Sequence, residues 1–96
     1  MLAIRSTPDF DAWFSGLRDE RARQRINIRI RRVSLGNFGD VKPVGDGVSE
    51  LRVDYGPGYR VYFAQRGDVI LLCGGDKRSQ DRDIAKAKRM AKEEFE

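Results

Sequence analysis

The sequence predicts an α+β fold: one domain with a helical pair, an antiparallel sheet and a closing helix. Three observations carry this. Phe10, Trp13, Phe14 and Leu17 fall at i, i+3, i+4 and i+7, the spacing of an amphipathic helix. Residues 48–55 alternate, Leu51, Val53 and Tyr55 in one phase and Glu50, Arg52 and Asp54 in the other, as a strand does. Helical and strand patterns come in separate blocks, which indicates α+β rather than α/β. At 96 residues the whole chain, 1–96, reads as a single domain. Such a chain buries roughly 60–65% of its unfolded surface.

The elements follow in order. Residues 2–5 read as a short first strand. Thr7 can cap a helix whose first position is Pro8. A break near Arg18 and Asp19 separates it from a second helix, in which Ala22, Ile26, Ile30 and Val33 keep helical spacing and Gly36-Asn37 marks the end. These two helices are expected to form a hairpin. Residues 36–47 are loop-like, with Val41-Lys42 able to open a short strand. Gly56-Pro57-Gly58 signals a turn, and residues 59–65 alternate again, so 48–55 and 59–65 read as an antiparallel hairpin. Gly67-Asp68 is the next turn. The apolar run Val69 to Cys73 reads as a strand buried on both faces, ended by Gly74-Gly75. A last helix follows, with Ser79 a candidate cap, Asp81 and Asp83 in its first turn and Ile84, Ala87, Ala91 and Phe95 on one side. The expected core is Trp13, Phe14, Leu17, Ile26, Ile30, Leu51, Val53, Val61, Phe63, Leu71 and Ile84.

Composition narrows the function classes. With 40% hydrophobic residues the chain is too apolar for disorder. Nineteen Lys and Arg against fifteen Asp and Glu give a net charge of +4, which favours an anionic partner such as nucleic acid. The charge is uneven: Arg18, Arg21, Arg23, Arg25, Arg29, Arg31 and Arg32 crowd one stretch, with only Asp19 and Glu20 among them. A lone cysteine, Cys73, permits no intrachain disulfide, and with no histidine there is no basis for a zinc site. No stretch approaches the roughly 18 apolar residues of a membrane span, and Arg5 and Asp9 interrupt any signal-peptide pattern. The expectation is a cytoplasmic protein with no metal, no cofactor and no membrane partner.

The chemistry is sought on the hairpin. If Leu51, Val53, Val61 and Phe63 face the core, Arg52, Arg60 and Tyr62 share the opposite face. Two guanidiniums and a phenol on a rigid sheet can clamp a phosphate, because the arginine fork matches phosphate oxygens. The same face can equally be solvated, with Arg52 paired to Glu50 or Asp54. Lys42 and Lys77 lie at a strand start and a strand end, positions that can converge on one sheet edge. A lysine crowded by arginines releases its proton more readily and can serve as a general base; either can also be an ordinary surface lysine. Gly74-Gly75-Asp76-Lys77 lacks the spacing of a nucleotide-binding loop, so nucleotide hydrolysis is set aside. The arginines of the second helix, among them Arg25, Arg29 and Arg32, form a solvated face that can also meet RNA phosphates.

Taken together, Phe10–Phe14, Leu35–Lys42, Gly45–Arg52, Gly56–Phe63 and Gly74–Asp81 resemble the addiction module killer protein branch of the RelE/ParE superfamily, the HigB-like or phage Gp49-like toxins. The resemblance spans roughly residues 8–92 and is most specific at Glu50-Leu51-Arg52 and Gly56-Pro57-Gly58-Tyr59-Arg60-Val61-Tyr62-Phe63. It implies a RelE-like sheet of four or five strands with a helical hairpin and a C-terminal helix. It also implies a cognate antitoxin, usually carrying a helix-turn-helix DNA-binding domain. RelE-like members cut mRNA in the ribosomal A site without a metal, whereas ParE-like members inhibit DNA gyrase. The nucleases use lysines and arginines on the concave sheet, often with a tyrosine or histidine. The matching types here are Lys42, Arg52, Arg60 and Lys77, with Tyr55, Tyr59 or Tyr62 able to stack on bases. This chain has no histidine, and its last helix has no tyrosine, so the general acid and base stay unassigned.

Two readings follow. In the first, the protein is a ribosome-dependent mRNA endoribonuclease. Arg52 and Arg60 steady the reacting phosphate, Lys77 or Lys42 moves protons, and the basic second helix holds rRNA. In the second it is a non-catalytic inhibitor of gyrase. A degenerate toxin kept as an antitoxin-binding module is a third. The convergent cations favour the nuclease. The antitoxin is expected to cover the cationic sheet or to displace the last helix.

Overall fold

Thr7 accepts from the Phe10 backbone amide at 3.1 Å and so caps helix α1 (Pro8–Ser15), with Pro8 in the first turn where its missing N–H costs nothing. Asp19 does the same for α2 (Glu20–Ser34), accepting from Arg21 and Ala22. The computed structural model describes residues 1–95. Before α1 comes strand β1 (Ile4–Ser6). After α2 come β2 (Val41–Gly45), β3 (Val48–Val53), β4 (Tyr59–Arg66) and β5 (Asp68–Asp76). A single 3-10 turn (Lys77–Ser79) leads into α3 (Gln80–Phe95).

The strands form one five-stranded sheet in the order β1-β5-β4-β3-β2. β2 to β5 are an antiparallel meander, and β1 lies parallel to β5, Ile4 beside Val69 and Ser6 beside Leu71. The architecture is therefore α+β with a mixed sheet, not a wholly antiparallel one. Turn residues announce hairpins locally, but the pairing of the first strand with the last has no local signal.

β5 also departs from expectation at its end. It runs through Gly74 and Gly75 to Asp76. A Cβ on Gly74 would fall 2.2 Å from the Trp13 ring, and one on Gly75 would fall 1.8 Å from Asp83 Oδ2. These glycines admit close neighbours on the two faces of a continuing strand. The 3-10 turn before α3 is closed by a capping box built on Asp76, with Ser79 as its other member. Asp76 accepts from Arg78 N, and the Ser79 hydroxyl accepts from the Asp76 backbone amide.

Between Tyr62/Cys73 and Phe63/Leu71 the ladder skips Leu72, a bulge that places one extra residue in β5. Val69 and Leu71 point to one face, while Ile70, Leu72 and Cys73 join the other. The Leu72 carbonyl accepts from the buried Thr7 hydroxyl at 2.6 Å, so the α1 cap also fastens the bulge.

The sheet thus has two cores. Phe10, Ile26, Val33, Leu51, Val53, Val61, Phe63, Val69 and Leu71 fill the space beneath α1 and α2, with Trp13, Phe14, Leu17 and Ile30 half-buried against them. Val48, Tyr62, Ala64, Ile70, Leu72 and Cys73 meet Ala87 and Ala91 of α3 on the other side, flanked by half-buried Ile84 and Phe95. Small residues on α3 let it approach the sheet closely. Most of the face that carries Arg52, Arg60 and Tyr62 therefore lies beneath a helix. None of the described helices is long and apolar enough to cross a membrane.

Candidate functional site

Two rows of side chains cross the α3-facing side of the sheet. Lys42 stands opposite Glu50, Glu50 opposite Tyr62, and Tyr62 opposite Cys73. In the next row Arg52 is opposite Arg60, and Arg60 opposite Gly75. Strand alternation places the charged residues here, and α3 then covers most of the first row.

Glu50 is the centre. Its residue exposure is 0%. Taking a carboxylate out of water costs several kcal/mol unless its oxygens are satisfied. Here Arg52 Nε donates to Oε1 at 2.9 Å, and Arg60 Nε lies 3.7 Å from the same oxygen. The Tyr62 hydroxyl donates to Oε2 at 3.0 Å, and Gln80 Nε2 donates to it at 2.8 Å from the first turn of α3. Burial pushes the Glu50 carboxyl up, but hydrogen bonds from Arg52, Gln80 and Tyr62 outweigh it and hold the group below the usual range. Tyr62 is shifted the other way: burial, and then the hydrogen bond to Glu50, raise its phenol far above its ordinary value. It remains a neutral donor.

Arg52 and Arg60 are like charges directly across strands, an arrangement that is unfavourable on its own. The shared Glu50 oxygen lies between them. The Arg52 side chain is 33% exposed and that of Arg60 13%. Arg60 Nη1 donates to the Gly58 carbonyl at 2.9 Å. Gly56 and Gly58 carry positive φ, 57° and 80°, so the Gly56-Pro57-Gly58 turn folds back beside this arginine. Beyond α3 the two guanidiniums border an open cleft of about 400 Å³. Lys77, Asp40, Asp54 and the Gly56–Gly58 turn complete its lining.

Three of the four expected catalytic cations, Arg52, Arg60 and Lys77, therefore meet. Lys42 is exposed one strand further out and does not line this cleft. The tyrosines are elsewhere. Tyr62 is buried under α3 and cannot stack on a base, contrary to the open face expected for it. Tyr59 packs edge-on against Trp13, with ring centroids 6.3 Å apart. Tyr55 donates to Asp19 at 3.0 Å and lies under the Arg25 guanidinium. On α2, the half-buried Arg29 donates to the carbonyls of Arg52, Phe38 and Asp40, so it braces the loop before β2 against β3. Arg32 is exposed. Arg21, Arg25, Arg29 and Arg32 border a second groove of about 590 Å³ on that side of the molecule, with Val53 among its lining residues. Cys73 is buried and its thiol is pushed up to about 11 by burial and by Asp83, which disarms it as a nucleophile. Among the described residues no cluster of His, Cys, Asp or Glu could hold a metal ion.

The chain is 53% identical over 94 residues to a protein of Haemophilus influenzae described as "Uncharacterized protein", a match covering 96% of this chain and 95% of that one. The two belong to one family. No family model and no solved structure matches the chain.

Strand phase puts Glu50 on the same face as Arg52 and gives no sign that it is the hub. Alternation reveals a face, not what covers it. Gln80 carries no local signal at all, since its role depends on where the last helix lands. Asp40 and Asp54 enter the cleft from a loop and from the residue just after β3.

Proposed function

We propose that this protein is the toxin of a bacterial toxin–antitoxin pair of the RelE/ParE type, HigB-like, acting as a metal-independent, ribosome-dependent mRNA endoribonuclease in the cytoplasm. The observation that supports it is the cleft in which Arg52, Arg60 and Lys77 meet over a buried carboxylate. In this reading the RNA 2′-hydroxyl attacks the adjacent phosphorus, the bond from phosphorus to O5′ breaks, and a 2′,3′-cyclic phosphate and a 5′-hydroxyl form. Arg52 and Arg60 stabilise charge on the phosphoryl oxygens, a contribution on the order of 10²–10³-fold per donor. The 2′ proton leaves to a base in the cleft and O5′ gains one. Lys77, which lines the cleft together with the carboxylates Asp40 and Asp54, would carry it. Arg25 and Arg32 would hold rRNA through salt-sensitive phosphate contacts. The antitoxin, expected to bring a helix-turn-helix domain, silences the cleft by covering it or by displacing α3.

One observation favours the alternative of a non-catalytic gyrase inhibitor. Asp40 and Asp54 share the cleft with the three cations, and Tyr55, Tyr59 and Tyr62 are all outside it. Expression without antitoxin separates the readings. New mRNA ends within translated codons, abolished by Arg60→Ala, support the nuclease. Loss of supercoiling by purified gyrase, with mRNA intact, supports the inhibitor.

A further inference from the structure

We infer that Glu50 is the positioning residue of the cleft: its buried carboxylate sets the arginine pair side by side and, through Gln80, ties that pair to the seating of α3. The inference rests on the nuclease reading for its kinetic consequence, and on geometry alone for the positions of the two guanidiniums.

The two ends of the carboxylate have different tasks. Oε1 faces the arginines, meeting Arg52 Nε at 2.9 Å and Arg60 Nε at 3.7 Å. Oε2 faces the structural donors, Tyr62 and Gln80. Tyr62 comes from β4 and Gln80 from α3, so the carboxylate cannot rotate without breaking bonds to two other elements. Its stem is on β3, two residues before Arg52 on the same face. Arg60 Nε is buried and makes no hydrogen bond among the described residues, which leaves Glu50 Oε1 as the charge beside it. Without that charge the opposed guanidiniums repel one another, and Arg52, the more exposed of the two, swings to solvent. With it, Arg52 stays beside Arg60, whose Nη1 is held by the Gly58 carbonyl, and both remain on the lining of the cleft. A surface ion pair would not do this, because two flexible partners in water keep no fixed geometry.

Glu50→Gln keeps shape and removes charge. Arginine side-chain NMR of the whole chain reads the first half of the inference without any substrate. The wild type should show two resolved, slowly exchanging Nε–H signals, assigned by Arg52→Lys and Arg60→Lys. Glu50→Gln should merge the Arg52 signal with those of solvated arginines while the backbone amide spectrum stays dispersed. Persistence of both signals at their wild-type positions overturns the inference. Single-turnover cleavage on translating ribosomes reads the second half. The rate constant should fall about 100-fold, as for loss of an oriented donor, with affinity for the programmed ribosome within threefold. An unchanged rate, or a loss carried entirely by affinity, overturns it. Gln80→Ala covers the case in which Glu50→Gln does not fold. It keeps the charge and removes the tie to α3, and it should broaden the Arg52 signal; an unchanged signal overturns the link to the helix. If Glu50→Gln disperses the pair but the wild type cleaves no mRNA, the positioning of the arginines stands and the nuclease reading falls.

Discussion

Replacing Thr7 by valine keeps the volume of the side chain and removes its oxygen. The hydroxyl has two bonds in a site that is 5% exposed: it accepts from Phe10 N at 3.1 Å and donates to Leu72 O at 2.6 Å. Loss of the cap costs about 1 kcal/mol. The Leu72 carbonyl is then buried with its side-chain donor gone, a further cost of about 1–3 kcal/mol. The expected total is about 2–4 kcal/mol, which in a domain of this size lowers the melting temperature by at least about 8 °C. Thr7→Ser retains both bonds and should cost less than about 1 kcal/mol, the worth of one buried methyl. Urea denaturation of the three proteins, followed by circular dichroism, measures this directly. A valine variant within about 0.5 kcal/mol of the parent refutes the reasoning, as does a serine variant that falls as far as valine. Loss of the bulge would also show in the site, because the extra residue sets which face Gly75, the neighbour of Arg60, presents to α3.

Three further outcomes are expected. Gly74→Ala would bring a methyl to 2.2 Å from the Trp13 ring, so it should destabilise by about 1–3 kcal/mol and perturb tryptophan fluorescence. Arg29→Ala strips a donor from three carbonyls and should cost about 1–3 kcal/mol, whereas Arg32→Ala, on the exposed side, should stay within about 0.5 kcal/mol in the same denaturation assay. Acid should weaken the fold through Glu50. Its folded pKa lies below the ordinary value, so its contribution is present above the unfolded pKa and is lost as pH falls through the folded one. Urea midpoints taken down through the acid range should decline in the wild type more than in Glu50→Gln, and parallel declines would remove Glu50 from the explanation.

Much of the fold was legible because its signals are local. The Thr7-Pro8 start and the Gly56–Gly58 turn appear as read, while the helix marked by Phe10, Trp13 and Phe14 stops at Ser15, before Leu17, and the strand marked by the alternation of residues 48–55 stops at Val53. What escaped is non-local. Gly74 and Gly75 read as a stop until Trp13 and Asp83 are seen against them. Tyr62 shares a phase with Arg60, and phase alone could not show that α3 seals one and leaves the other at the cleft. Lys42 and Lys77 both stand at strand ends, yet β2 is the edge strand furthest from β5, so only Lys77 reaches the cleft. Arg29 has the spacing of one arginine in a solvated stripe, and it is the loop before β2, with two acceptors, and β3, with a third, that engage it.

The two ends of the sheet have a consequence for how the chain behaves among copies of itself. An open edge strand offers unpaired N–H and C=O groups to any passing strand, the usual start of aggregation. β2 has Pro43, which has no N–H to offer, a break in register between Pro43 and Gly45, and the exposed Lys42 beside them. β1 is only three residues long, with Arg5 paired to Asp68 at 3.8 Å across its neighbour. Neither edge can accept a long, flat partner, so a chain whose outer strands face solvent is protected from recruiting its own copies into a growing sheet.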